Sequence, residues 1–229
     1  MKRGIVLPQH DAGPDELAEA ALLARDSGLD SVWVIDHLQG RPDPDRPFLE
    51  GWTSLAWVAP LVPEMTLGIL VNRAGLRPPR LVAAMASTLS KVCKEFVCGV
   101  GIGDHTVIQE HVSFGIPIAK REERIQMAKE TIDSLRKHGG GARVWVGGGT
   151  REVIQLAAEA DGWNYWGPVD EFTRRLSELG SPEGIETSWA GSWPKEGEGA
   201  VLKTGADHVI IASGTGNFRD RIGQVADLG

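Results

Sequence analysis

Short apolar runs alternate with longer stretches in which apolar residues recur every three or four positions. The runs fall at residues 4–7, 31–35, 66–71, 96–102, 143–146, 163–166, 185–189 and 208–212. Short uninterrupted apolar runs of this kind read as strands buried on both faces. The stretches between them read as helices. The first starts at Pro14, with Asp15 and Glu16 in its opening turn. It carries Leu17, Ala20, Ala21 and Ala24 on one face and stops at Ser27 and Gly28. A Pro-rich loop over 41–47 precedes a second helix at about 49–58. A third opens near Pro79, with Leu81, Met85, Leu89 and Val92 predicted on its inner side. A fourth covers 121–136, with Ile125, Ala128, Ile132 and Leu135 inward, and glycines at 139–141 stop it.

The second half keeps the rhythm. Thr150 is a plausible N-cap for a helix carrying Val153, Leu156, Ala157 and Ala160. Asp170 is expected to cap the next, with Phe172, Leu176 and Leu179 inward and Gly180 closing it. Gly197 and Gly199 interrupt the one after, and Phe218, Ile222 and Val225 mark the last. Alternating strands and helices imply a parallel sheet. Eight such units in 229 residues imply an α/β chain forming one closed (β/α)8 TIM barrel over residues 1–229, compact and with shortened loops. Candidate chemistry is then sought where strands end, because the C-terminal face of such a barrel carries the active site.

Composition narrows the partners. The net charge is −7 and no block of Lys and Arg stands out, which argues against a nucleic-acid or anionic-membrane surface. No apolar stretch is long enough to span a bilayer, and the run at 5–7 is too short for a signal peptide. Cys93 and Cys98 lack metal-site spacing, so a cytoplasmic protein with two free thiols is expected. Of the eight Trp, most are expected in the core and some in a pocket; of Trp52 and Trp57, at least one should be core.

Asp36 and His37 emerge together at the end of the second strand, in Ser-Val-Trp-Val-Ile-Asp-His. A His there is suited to proton transfer near neutral pH, or it is held by loop hydrogen bonds. Glu110 and His111 are weaker candidates, and His10 stands at the mouth without an evident partner. Gly99-Val-Gly-Ile-Gly-Asp104 is not the dinucleotide fingerprint, since its third Gly comes one residue early. Gly101 and Gly103 share a face, which either clears space for a flat ring or allows close packing inside the barrel. Gly147, Gly148, Gly149 and Thr150 either cradle a phosphate at a helix N-terminus or form a tight turn needing positive φ. No P-loop, nucleophile elbow or metal-ligand spacing is present. Arg121 to Arg124 read as a solvated helix start.

Taken in order, these segments resemble the luciferase-like flavin and deazaflavin oxidoreductase family, in its coenzyme F420-dependent branch. The strand ending in Asp36-His37, the run Leu49-Glu50-Gly51-Trp52-Thr53, and Leu67-Gly68 followed by Val71 are similar to its first third. Residues 96–103, then Glu110, Phe114 and Gly115, and then Arg121, Arg124 and Glu130 resemble its middle. Residues 146–150 and 160–164 resemble its fifth and sixth strands. The resemblance implies a barrel with coenzyme F420, or alternatively FMN, across the mouth. It implies cofactor contacts from Asp36, Val71, Gly101, Gly103, Asp104 and Gly147 to Thr150, and His37 as proton donor or acceptor. It further implies a cis peptide near Val71-Asn72, a homodimer, and a hydride passed between the deazaflavin and a small organic substrate. An FMN-dependent monooxygenase and a non-catalytic flavin-binding protein are the competing readings, with a phosphosugar enzyme more distant. The chain departs from the family pattern in having Leu-Ser-Lys-Val-Cys-Lys before the fourth strand, Asp104 where Glu is common, and short links at 138–142 and after strand seven.

Overall fold

A computed structural model describes residues 1–103, 108–180, 184–214 and 217–228. Eight parallel strands close into a barrel in sequence order, with the first pairing with the last. They are β1 (Lys2–Val6), β2 (Ser31–Val34), β3 (Thr66–Arg73) and β4 (Glu95–Gly101), then β5 (Arg143–Gly147), β6 (Gly162–Trp166), β7 (Glu186–Gly191) and β8 (His208–Ala212). The helices are α1 (Pro14–Asp26), α2 (Gly51–Val58), α3 (Pro79–Leu89), α4 (Ile108–Ser113) and α5 (Arg121–His138). They continue with α6 (Arg151–Ala157), α7 (Val169–Leu179), α8 (Glu198–Leu202) and α9 (Phe218–Ala226). The expected barrel is therefore present, with strand limits within about two residues of those read from the apolar runs.

Three details differ. The six-residue α4 has no counterpart in the apolar pattern, because it is too short to show a helical period. On α3 the buried face is Val82, Ala83, Ala86 and Leu89, while Leu81 is half exposed and Val92 lies past the helix end, exposed. Small side chains let α3 lie close to the sheet and to α5, so the inner face is not the one with the largest residues. Pro168, not Asp170, precedes the first turn of α7, and Asp170 lies within that turn. Gly180 closes the helix as expected, in the left-handed conformation at φ 78°.

Two tryptophans dominate the barrel interior, packed with Val6, Leu70, Val97, Ala190 and Ile210. Trp33 and Trp145 are fully buried and stack with ring centroids 5.0 Å apart. Glycines on neighbouring strands make the room. A Cβ on Gly4 or Gly68 would collide with the Trp33 ring, and one on Gly162 would meet Trp145 Cδ1 at 2.5 Å. Trp52 is core as well, whereas Trp57 is more than half exposed. Below this layer, at the N-terminal ends of the strands, Trp33 Nε1 donates to Ser31 Oγ (2.7 Å), and Ser31 Oγ lies 2.8 Å from His208 Nε2. Glu186 lies 3.5 Å from the other ring nitrogen and takes salt bridges from Lys2 and Arg143 at 3.0 and 2.6 Å. The wide end, where ligands bind in such barrels, is left to different residues. Cys93 and Cys98 are both free and buried, and no helix among the described residues is long and apolar enough to cross a membrane.

Candidate functional site

A cavity of about 810 Å³ opens at the C-terminal ends of the strands. Its size falls in the range of small-molecule and cofactor sites. Asp36 and His37 follow β2 there, but they face different tasks. The Asp36 carboxylate is buried and fully engaged. It accepts from the backbone N–H of Arg73 at 2.9 Å and from Arg77 Nη1 at 2.8 and 3.0 Å. Arg77 also reaches Glu50 at 2.6 Å, and Glu50 caps α2 by accepting from the N–H groups of Trp52 and Thr53. Burial pushes the Asp36 carboxyl up, against the pull of Arg77 and the Arg73 amide. Its side chain thus ties β2 to β3 and α2 along the cavity wall.

His37 is held by Glu110. Its Nδ1 lies 3.2 Å from Glu110 Oε2, and Arg73 Nη1 donates to the same oxygen at 2.6 Å. The other carboxylate oxygen accepts from the Leu38 backbone N–H. Burial by itself would raise the Glu110 carboxyl. The donors from His37, Arg73 and Leu38 outweigh it and hold the group down at about 2. On the far side of the ring, Arg41 Nη1 stands 3.5 Å from Nε2. A guanidinium only donates, so Nε2 accepts and Nδ1 carries the hydrogen toward Glu110. The arrangement fixes the ring and its tautomer, as a carboxylate does for a catalytic imidazole.

The sequence pattern marks Glu110 only weakly and Arg73 not at all. Arg73 ends an apolar strand and is almost wholly buried, with Nε and Nη2 lacking a partner among the described residues. His111 turns away to the Pro117 carbonyl at 3.1 Å. His10 does line the cavity, edge-on to Phe48, and burial lowers its tendency to protonate.

The floor is built around Val71. The Leu70–Val71 peptide is cis, one bond before the expected place. A Cβ on Gly101 or Gly147 would run into the Val71 side chain. Gly101 therefore makes room for Val71, the close-packing alternative, and Val71 in turn lines the cavity. Gly103 lines it too, at φ 65°, whereas Asp104 lies outside the described residues. After β5, Gly148 adopts φ 129°, and a Cβ on Gly149 would stand 2.7 Å from the Tyr165 ring. Thr150 occupies the N-cap position of α6 without making a cap bond. Its Oγ1 instead accepts from Arg121 Nη2 at 3.0 Å, an arginine that also pairs with Glu152.

The start of α5 is thus not merely solvated. Arg121 and Arg124 both line the cavity, and Arg124 Nε is buried without a partner among the described residues. Four arginines, at 41, 73, 121 and 124, face one aspartate around the lining, on a chain whose net charge is −7. Among the described residues no group of His, Cys, Asp or Glu is placed to hold a metal ion.

An uncharacterized protein of Mycobacterium tuberculosis is 26% identical, over 58% of this chain and 54% of its own length. An F420-dependent glucose-6-phosphate dehydrogenase of Kineococcus radiotolerans is 27% identical, over 60% of this chain and 40% of that enzyme. The chain therefore spans about half or less of the length of these relatives. In fold it is similar to the coenzyme F420-dependent tetrahydromethanopterin reductase of Methanopyrus kandleri, with a TM-score of 0.73 at 15% identity, covering 99% of this chain and 97% of that one. The family model for luciferase-like monooxygenases matches residues 1–179, and the chain belongs to that family.

Proposed function

We propose that this protein is a coenzyme F420-dependent oxidoreductase acting on a small organic substrate. The observation that carries the reading is His37, on the wall of a cavity ringed by arginines and held from behind by the buried Glu110. The relatives that are F420-dependent dehydrogenases by name supply the cofactor. The residues present fit such a group. A planar ring needs a smooth floor, and Val71 with the side-chain-free Gly101 and Gly147 supplies one. A phosphate needs cationic donors, and Arg124 holds one buried N–H with no partner among the described residues, next to Arg121, Thr150 and the Gly148-Gly149 backbone. The charge for that subsite comes from these arginines, because the seven-residue α6 is too short to contribute much by its dipole.

When bound, the deazaflavin gives or accepts the hydride. His37 supplies the matching proton step at Nε2, the ring nitrogen turned away from Glu110. With Nε2 unprotonated, and the long 3.5 Å contact from Arg41 Nη1 given up to the substrate, it takes the proton of an alcohol; once protonated there, it returns one to a carbonyl oxygen. Glu110 stabilises the imidazolium that forms.

Titration of the purified chain with F420 and, separately, with FMN tests the cofactor. Saturable binding is expected with F420, more tightly than with FMN. Tighter FMN binding with oxygen consumption would instead identify a flavin monooxygenase. Tight binding of either with no turnover would identify a binding protein.

A further inference from the structure

His37 and Glu110 form a pair that two opposite chemistries could use. A buried carboxyl beside an imidazole could itself carry the proton, or it could stay charged and only orient the ring. What separates the two is the third member of the cluster. Arg73 comes from β3, two residues past Val71, and its side chain is about nineteen-twentieths buried, with 5% exposed. Its Nη1 shares Glu110 Oε2 with His37, at 2.6 Å against 3.2 Å. Its backbone N–H is fixed by Asp36, so the side chain starts from an anchored position. Nε and Nη2 have no partner among the described residues. An arginine kept only to stabilise the fold would be expected to saturate its donors.

We infer that Arg73 is a positioning residue, which keeps Glu110 ionised and turned to His37 so that His37 alone exchanges protons with the substrate. The inference rests on the proposed hydride-transfer reading and deepens it. The groups facing Glu110 all agree with it. Among the described residues they are His37 and the Leu38 amide from the loop after β2, and Arg73 from β3. Around His37 stand Arg41 and, farther off, His10. None of these is a second carboxyl that could share a proton with Glu110, and His111 on its own helix points elsewhere.

The decisive measurement needs no cofactor. In protein carrying ¹⁵N-labelled histidine, the ring shifts of His37 report which nitrogen bears the hydrogen, and a ¹³C-labelled Glu110 carboxyl reports its charge. The wild type should show the Nδ1–H form and a carboxylate that stays ionised through the mildly acidic range. Arg73→Met should raise the Glu110 titration midpoint toward the ordinary glutamate range and mix the His37 tautomers. Arg73→Lys, which keeps the charge and loses the fork, should fall between. If Arg73→Met does not fold, Arg73→Lys and Arg73→Gln decide by the same spectra.

In turnover with F420, Arg73→Met should lower kcat roughly 10- to 100-fold, the worth of one charged hydrogen bond expressed as a rate. It should also add an acid limb to the pH profile and leave cofactor affinity nearly unchanged. A variant with wild-type tautomer, Glu110 midpoint and pH profile would overturn the role. Absence of F420 turnover in the wild type would overturn the functional reading alone, since the spectra still judge Arg73.

Discussion

At the scale of single residues, the proposed chemistry separates groups that hold from the one that reacts. Asp36 is as prominent in the sequence as His37, yet its oxygens are spent on Arg77 and the Arg73 amide. His37 keeps one nitrogen for Glu110, and the other meets Arg41 Nη1 only at the long distance of 3.5 Å. Replacing His37 by Ala or Asn should therefore lower turnover about 100- to 10,000-fold while F420 binding stays nearly intact. Unchanged turnover would remove the residue from the mechanism. Arg124 has the opposite signature. Arg124→Met should weaken F420 binding by roughly tenfold or more, the worth of one charged hydrogen bond. A deazaflavin lacking the phosphate should bind wild type and variant alike. If both ligands lose affinity equally, Arg124 supports the fold of the mouth rather than a phosphate.

At the scale of elements, the glycines of the strands and those of the helices have different reasons to exist. Gly68 on β3 faces the Trp33 ring of β2, so Gly68→Ala forces that ring against Trp145 behind it. Overpacking of this kind costs about 1–3 kcal/mol, read as a lower denaturant midpoint with unchanged slope. Gly223 lies inside α9, and a Cβ added there would meet nothing within 4 Å. Gly223→Ala should raise stability by roughly 0.5–1 kcal/mol through helix propensity alone. The same contrast explains what can be read from the chain without its structure. Strands buried on both faces write themselves as apolar runs, so all eight are legible. Phe218, Ile222 and Val225 mark the buried face of α9 because large residues do the packing there. On α3 the packing residues are small, and hydrophobicity points to Leu81, which faces water. The site is half legible for a similar reason. His37 and the glycines sit in recognisable strand-end patterns. Arg73 sits at the end of an apolar run, and its meaning depends on a carboxylate 37 residues away on a helix too short to predict.

At the scale of the molecule, the barrel carries a buried ionisable cluster at each end, and both favour the fold only while the solution is not acidic. At the narrow end, burial disfavours protonation of His208, against the pull of Glu186. Glu186 is partly desolvated, but bonds from His208, Arg143 and Lys2 more than offset this and hold its carboxyl well below the usual range. At the wide end Glu110 is held at about 2, against an ordinary 4.5. The signs follow from linkage. His208 stays neutral in the fold while the unfolded chain takes up a proton below about 6.5, so stability starts to fall there. His10 is shifted the same way and adds to that step. Glu110 and Glu186 contribute fully above about 4.5, and their contribution is lost as the pH falls further. For Glu110 alone the shift corresponds to roughly 3 kcal/mol. Urea midpoints measured from pH 8 to pH 3 should be level above about 7, decline gently to about 5, and then drop steeply. His208→Gln should flatten the gentle part and leave the steep one, whereas Glu110→Gln should soften the steep part and leave the gentle one. A midpoint that holds constant from about pH 8 to about pH 4 would mean that neither cluster is bound to folding in the way the buried geometry requires.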